Sequence, residues 1–411
     1  MRVAIVHYWF LLSGGGERVV EALANMYPQA DLFALFADRG SMPESLRDRK
    51  LTTSFLNNLP LAHKINRLIF PLYPLAAESF DLQAYDLVIS SDSPSIKGLM
   101  LNQSAVHLCY CHTPARPLWD NHSEARRQRP PLIRPFFSAG AHYVRKWDFC
   151  SAQRVDRFIA NSQYISQRIA KYYRRESVVV YPPVEISKGY LSPTQDDYYL
   201  TVGRLVDTKR VDLLIQACNK LRKRLVIAGS GREMKRLKTI AGPNIEFLGR
   251  VADSELSDLY ARARAFLFAA DEDFGIAPVE AQSYGRPVIC FGQGGSLETV
   301  RGHGVTDQPT GLFFQEQTVV SICNAIQQFE TIEDDFRPNL IQNHVRQFDL
   351  PVFEKRMRRI IDTTLHAENE IANRRSDLTF TTNVSNLSRA VVQNTPQLVS
   401  ASPVRDLDED E

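Results

Sequence analysis

The sequence has no apolar run approaching the roughly 20 residues that a helix needs to cross a bilayer, which excludes a membrane-spanning helix. It has no Cys-x-x-Cys pair, so the common cysteine spacing of a zinc site or a redox dithiol is missing. Its six cysteines, Cys109, Cys111, Cys150, Cys218, Cys290 and Cys323, are scattered and mostly lie in apolar runs. They read as buried thiols in a reducing compartment, not as metal ligands. Cys109 and Cys111 fall two apart in a strand-like stretch and are expected on one face. Charge of one sign is scarce: 49 basic and 47 acidic residues leave +2. That bias is too weak to argue for nucleic acid as a partner. It is also uneven, because Ala367–Glu411 carries eight acids and four bases, which leaves about +6 on the rest. A mildly basic body suits an acidic substrate or an anionic membrane surface. The dinucleotide fingerprint G-x-G-x-x-G is absent at both glycine-rich turns, Ser13-Gly14-Gly15-Gly16 and Ala228-Gly229-Ser-Gly231, so nicotinamide chemistry is disfavoured. No repeat of solenoid period occurs. The opening Met1-Arg2-Val3-Ala4-Ile5-Val6 is too short an apolar run for a signal peptide and reads as a first strand.

What is present is a chain of 411 residues, 44% hydrophobic, enough for two or three domains. Short β-rich runs alternate with helical patterns. Strands are predicted at Val3–Tyr8, Asp31–Phe36, Leu87–Ser90, Val106–Cys111, Arg157–Ala160 and Val178–Tyr181. Helices are predicted at Glu17–Met26, where Val19, Ala22, Leu23 and Met26 recur at helical spacing, and at Gln163–Tyr173. After Pro182-Pro183 a second series begins. Its strands are Tyr198–Val202, Arg224–Ala228, Ile245–Leu248, Ala265–Phe268 and Pro287–Phe291. Its helices are Val211–Arg222, Gly231–Ile240, Asp253–Ala263, Ile276–Tyr284 and Val319–Glu330. Such alternation implies parallel sheets, and two series imply two α/β domains. Leu350–Leu365 reads as a last amphipathic helix, and Asn373–Glu411 is polar and acidic enough to be a disordered tail.

The segment Ser123–Phe149 stands apart. Arg126, Arg127, Arg129, Arg134, Arg145 and Lys146 interleave with Leu132, Ile133, Phe136, Phe137, Tyr143 and Trp147. It reads either as a face for an anionic membrane or as a solvated basic face with its aromatics packed in the core.

Four constellations carry chemistry. Glu272-Asp-Phe-Gly-Ile-Ala-Pro-Val-Glu280 puts one carboxylate in the loop after a strand and a second just inside the following helix. That strand edge is where open α/β sheets bind ligands, and free amides at a helix start bind oxygen. Two helix-start acids favoured by the dipole are the plain alternative. Gly203-Arg204 to Lys209 brackets one tight loop with two cations, a guanidinium that forks onto phosphate and an ammonium point charge. Solvated surface cations are the alternative. Gly14-Gly15-Gly16-Glu17-Arg18 permits close approach of a ligand before a helix. His112 ends a strand before Thr113-Pro114 and is expected to face a cleft; a hydrogen-bonded structural histidine is the other reading, and His7 is read the same way.

Jointly these motifs resemble glycosyltransferase family 4, of GT-B fold, within it the bacterial mannosyltransferase-like members of polysaccharide and O-antigen clusters. The resemblance is carried further by Tyr85-Asp86 to Ser91, Asn161-Ser162, Tyr181-Pro-Pro-Val184, Phe247-Leu-Gly249-Arg250-Val251 and Gly294-Gly295-Ser-Leu-Glu298, and covers about three quarters of the chain. It implies two Rossmann-like domains facing across a cleft: residues 1–183 on the acceptor side, 184–348 binding the nucleotide sugar, a helix over 349–370 returning to the first domain, and a tail over 371–411. It implies His112, Arg204, Lys209 and Glu272 as catalytic residues. Arg204 and Lys209 would hold the donor pyrophosphate, Glu272 the sugar hydroxyls together with the amides of Phe274, Gly275 and Ile276, and Glu280 the ribose. Gly15, Gly16, Gly203 and Gly229 would approach the donor, with Arg250 and Val251 beside the base. The expected reaction is retaining transfer of a hexose, mannose from GDP-mannose, to a saccharide or lipid-linked acceptor, with no metal and no cofactor. A UDP-sugar donor (glucose, galactose or N-acetylglucosamine) and a non-catalytic nucleotide-sugar scaffold stay open. The expected location is cytoplasmic, peripheral on the inner face of the plasma membrane. Where many members have glycine after the motif lysine, this chain has Arg210.

Overall fold

The computed structural model describes residues 1–11, 14–66, 68–93, 95–368 and 370. Ser13 of the glycine-rich turn and the expected disordered tail, 371–411, lie outside the described residues.

Two parallel sheets carry the fold. In the first, β1 (Val3–Phe10), β2 (Asp31–Ala37), β3 (Leu51–Thr53), β4 (Leu87–Asp92), β5 (Val106–Cys111), β6 (Arg157–Ala160) and β7 (Ser177–Val179) lie in the order β3-β2-β1-β4-β5-β6-β7. In the second, β8 (Tyr199–Val202), β9 (Leu225–Ala228), β10 (Ile245–Gly249), β11 (Ala265–Phe268), β12 (Val288–Phe291) and β13 (Gly311–Phe314) lie in the order β10-β9-β8-β11-β12-β13. The central strands read as unbroken apolar runs because helices cover both faces: every residue of β4 and β5 is buried.

Four details differ from the sequence reading. The edge strands β3 and β13 are not predicted: β3 is three partly exposed residues, two of them threonine, and β13 opens on a glycine. β1 runs on to Phe10, so His7 sits inside the strand, fully buried, and not at its end. The helix expected from Gly231 starts at Met234. Cys150 is exposed, unlike the other five cysteines, because it lies on the outer face of the Arg134–Ala152 helix.

Strand order reverses between β1 and β4 in one sheet and between β8 and β11 in the other. At each reversal neighbouring crossovers go to opposite faces and leave a crevice at the carboxyl edge. Both crevices lie within one compact unit, Met1–Ile361. The chain passes between the sheets at Tyr181-Pro182-Pro183-Val184, and the Val184 amide donates to the Phe348 carbonyl at 2.9 Å. A helix then begins at Leu350. Its Phe353 ring meets Tyr110 of β5 edge-on at 6.0 Å, and Met357 and Ile361 are buried. In the second unit, Asp362–Glu411, residues 362–368 are helical.

Candidate active site

The residues after β1, β4, β5, β8 and β11 converge on one cleft of about 410 Å³. On the second-sheet side, β8 ends at Val202 and Gly203 turns with φ of +151°, a conformation that favours glycine. Gly229 packs beneath it: a Cβ there would lie 1.9 Å from the Gly203 carbonyl oxygen. Arg204 and Lys209 both line the cleft. The Lys209 ammonium pairs with Glu272 Oε1 at 2.8 Å and sits over the Phe268 ring. Arg210, which departs from the glycine the resemblance implies after the motif lysine, adopts φ of +50°. A side chain in that left-handed region costs about 1–2 kcal/mol; the pair from Arg210 Nε to Asp212 Oδ1 at 3.3 Å offsets part of it.

The Glu272 loop is held from below. Its carbonyl accepts from the Gly295 amide at 2.8 Å, and a Cβ on Gly294 would come within 2.4 Å of that same oxygen. Gly275, at φ +87°, opens the Ile276–Ser283 helix, whose start faces the cleft through Phe274, Gly275, Ile276 and Ala277. Inside that helix, Glu280 accepts from Arg18 at 2.7 Å and from the Tyr260 hydroxyl at 3.2 Å.

From the first sheet come Gly15, Gly16, Ser93 and His112. A Cβ at Gly15 would lie 2.5 Å from Ile276 Cδ1, so this glycine allows the two sides of the cleft to meet. A Cβ at Gly16 would lie 2.6 Å from the Tyr8 hydroxyl. His112 donates its amide to the Asp92 carbonyl at 2.9 Å, and its ring Nε2 pairs with Ser91 Oγ at 2.8 Å. Burial, and then the neighbouring His7, push the His112 imidazole down to about 3, so it is neutral at physiological pH. Asn161 Nδ2 donates to the His112 carbonyl at 3.0 Å.

Charged contacts join the two sides around the cleft. Arg116 reaches Asp273 at 2.7 Å and Asp271 at 3.4 Å, and Arg168 reaches Asp273 at 3.3 Å and Asp120 at 2.9 Å. Burial raises the Asp273 carboxyl above its ordinary range by more than the two arginines lower it. Glu298 accepts from the amides of Gln163 and Tyr164, at 2.7 and 2.8 Å, and so caps the Gln163–Tyr173 helix from the opposite side. Asp271 and Asp273, which by spacing resemble a D-x-D metal pair, are thus both engaged by arginine.

The structure therefore brings together Gly15, Gly16, His112, Gly203, Arg204, Lys209, Glu272, Phe274, Gly275, Ile276 and Glu280. Gly229 supports this wall from behind without lining it. Arg250 is exposed, 3.4 Å from Ser230 Oγ, and neither it nor Val251 is among the described residues that line the cleft. Sequence reasoning passes over Arg168, whose partners are distant in the chain. It marks Arg18, Ser91, Asp273 and Glu298 only as parts of motifs.

A family model described as Glycosyltransferase Family 4 matches residues 13–188, and one described as Glycosyl transferases group 1 matches residues 184–347. The alpha-1,3/1,6-mannosyltransferase ALG2 of Saccharomyces cerevisiae is 22% identical over 370 residues, 73% of this chain and 71% of the relative. A GDP-mannose-dependent monoacylated alpha-(1-6)-phosphatidylinositol monomannoside mannosyltransferase of Corynebacterium glutamicum is 36% identical over 151 residues, 33% of this chain and 38% of that one. Among solved structures, Anabaena Alr3699/HepE in complex with UDP superposes with a TM-score of 0.65 at 17% identity, over 88% of this chain and 100% of that one. With two parallel α/β domains and both halves matched, the chain belongs to glycosyltransferase family 4, has the GT-B fold, and is a nucleotide-sugar glycosyltransferase.

Proposed function

We propose that this chain transfers a hexose with retention of anomeric configuration, taking mannose from GDP-mannose to a saccharide or lipid-linked saccharide acceptor. The observation that carries the reading is the approach of Arg204, Lys209 and Glu272 at the carboxyl edges of β8 and β11, with His112 on the other side of the same cleft. Two cations beside a helix start suit a pyrophosphate. In this reading Arg204 and Lys209 hold it and offset the charge that grows on the leaving group. Glu272 accepts from sugar hydroxyls with the amides of Phe274, Gly275 and Ile276 nearby, and Glu280 accepts from the ribose. An arriving donor competes with Glu272 for Lys209 and with Arg18 for Glu280. The donor phosphate oxygen takes the acceptor proton on the face the leaving group vacates, which retains configuration. Catalysis is then electrostatic, with charges fixed where charge develops, and calls for no metal and no cofactor.

The mannosyltransferase relatives support mannose and GDP. A UDP-sugar is the second reading, favoured by the Anabaena structure solved with UDP. Calorimetry of a panel of nucleotide sugars on wild type and Lys209→Ala separates them. The expected result is binding of GDP-mannose that the variant loses; a protein that binds no nucleotide sugar refutes the reading. Proton NMR of the product's anomeric centre tests retention.

We also propose that the first domain works against an anionic membrane from its cytoplasmic side. Leu132 is 86% exposed, Phe136 78%, Leu68 73% and Leu61 65%, and the Phe70 and Phe137 rings meet between these two segments. Exposed apolar side chains among Arg126, Arg127, Arg129 and Arg134 suit an interface of acyl chains and acidic headgroups. The plainer reading holds for Phe137 and Trp147, which pack inward. Among the described residues no helix is long and apolar enough to cross a membrane. Changing Arg126, Arg127 and Arg129 to Ser should weaken binding to vesicles containing acidic phospholipid; unchanged binding removes this reading.

A further inference from the structure

Behind His112 runs a buried polar chain that none of the roles above uses. His7 of β1 is fully buried, and its Nδ1 lies 3.0 Å from Ser91 Oγ of β4. Ser91 Oγ lies in turn 2.8 Å from His112 Nε2. The other nitrogen of His7, Nε2, is buried without a hydrogen-bond partner and faces Glu17 Oε1 at 3.8 Å. Glu17 sits in the first turn of the Gly15–Met26 helix and is itself only 4% exposed. Gly16 makes this possible, because a Cβ there would press on Tyr8 and lie 3.4 Å from His7 Cε1. The His112 side chain has one ring nitrogen left over, Nδ1, and the residue lines the cleft.

Ser91 has a single hydroxyl proton to share between two imidazoles. With one proton on each ring, two arrangements send the hydroxyl proton to one of the rings; in a third, Ser91 accepts from both rings, which leaves that proton off both and also turns a bare His7 Nε2 towards Glu17. In the first, Ser91 donates to His112 and accepts from His7 Nδ1–H, which turns the bare His7 Nε2 lone pair towards the Glu17 carboxylate. In the second, Ser91 donates to His7 and accepts from His112 Nε2–H, which turns His7 Nε2–H towards that carboxylate. A buried carboxylate repels a lone pair and attracts an N–H, and the low dielectric of the interior amplifies the difference. We infer that Glu17 sets, through His7 and Ser91, which nitrogen of His112 carries the proton, and leaves His112 Nδ1 as a hydrogen-bond acceptor in the cleft. Glu17, His7 and Ser91 are positioning residues. An acceptor nitrogen receives a hydroxyl proton and rejects a carbonyl or ring oxygen, so the chain orients a sugar by its hydroxyl groups. That consequence rests on the nucleotide-sugar reading of the cleft, whereas the placement of the proton does not.

Long-range proton–nitrogen correlation NMR of histidine-labelled protein reads the tautomers directly, whether or not the enzyme turns over. Wild type should show His112 protonated at Nε2 and bare at Nδ1. Glu17→Met, which keeps the length and apolar stem of the side chain, should transfer population to His112 Nδ1–H and lower kcat/KM for the donor by about threefold to tenfold, the scale of one neutral hydrogen bond. Glu17→Asp, which restores the charge, should restore the tautomer. Wild-type His112 protonated at Nδ1, a doubly protonated His7, or a tautomer unmoved in Glu17→Met would each overturn the inference. Correct tautomers with unchanged kinetics would instead fault the assignment of His112 to the sugar.

Discussion

Replacing Lys97 by methionine keeps the stem and removes one charge from the interior of the first domain. Lys97, Asp92 and Asp148 are all 0% exposed. The ammonium pairs with Asp92 Oδ2 at 3.3 Å and with Asp148, and lies 4.6 Å from the Tyr173 ring centre. Burial alone would lower its affinity for the proton, but Asp148 and Asp92 together hold it well above the ordinary lysine value. The folded-state value is raised, so this contribution is fully present below the ordinary lysine range and is lost only as strongly alkaline pH is reached. Without Lys97, two buried carboxylates lose their cation. Asp148 keeps the Trp119 indole N–H at 2.8 Å, and Asp92 keeps the Ile96 amide at 2.7 Å. Removing one partner of a buried pair costs about 3–5 kcal/mol, a large part of the roughly 5–15 kcal/mol that stabilises a domain. At an m-value near 3 kcal/mol per molar urea, the first domain's midpoint should fall by at least about 1 M, read by tryptophan fluorescence. Adding Asp148→Asn should recover part of the loss, because one stranded charge disappears. A shift in Lys97→Met under about 0.3 M would refute the reasoning and mean that water or protonation relieves the site cheaply.

Three further outcomes are expected. Burial first, and then nearby cations, push His107 down to about 3 and His344 to about 4. Their folded values lie below the unfolded value near 6.5, so their contribution is present above that pH and lost as pH falls, by up to about 1.4 kcal/mol per unit for each; a urea midpoint that stays flat from pH 6.5 to 4 would contradict this. Glu298→Ala removes two amide acceptors that join the sides of the cleft; such caps are worth about 0.5–2 kcal/mol, and donor KM should rise while circular dichroism stays unchanged. Gly16→Ala forces a methyl against the Tyr8 hydroxyl; overpacking of this kind costs about 1–3 kcal/mol, and wild-type melting with full activity would show that Tyr8 yields freely.

Much of the site is legible in the sequence because its parts are local. A strand, a turn and a helix start within one short stretch specify Gly203 to Lys209, Glu272 to Glu280, and Gly14 to Arg18, since parallel sheets set such turns at one edge. The central strands are legible because they are apolar throughout, whereas β3 is a partly exposed run with two threonines and β13 opens on a glycine. Arg210 is visible as a departure from the pattern, but its positive φ is not.

By itself the sequence determined the two α/β series, the turns that carry cations and carboxylates, and the membership of a family, because each depends on neighbours within a few residues. Only the tertiary structure decided which distant charges meet. Arg18 finds Glu280, Arg116 and Arg168 find Asp273, and Glu298 finds the start of a helix more than a hundred residues earlier. The same holds for Glu17, His7, Ser91 and His112, which come from one helix and three adjacent strand segments. Such pairings depend on strand order and on how two domains face each other, and pattern along a chain carries no distance between points that folding alone brings together.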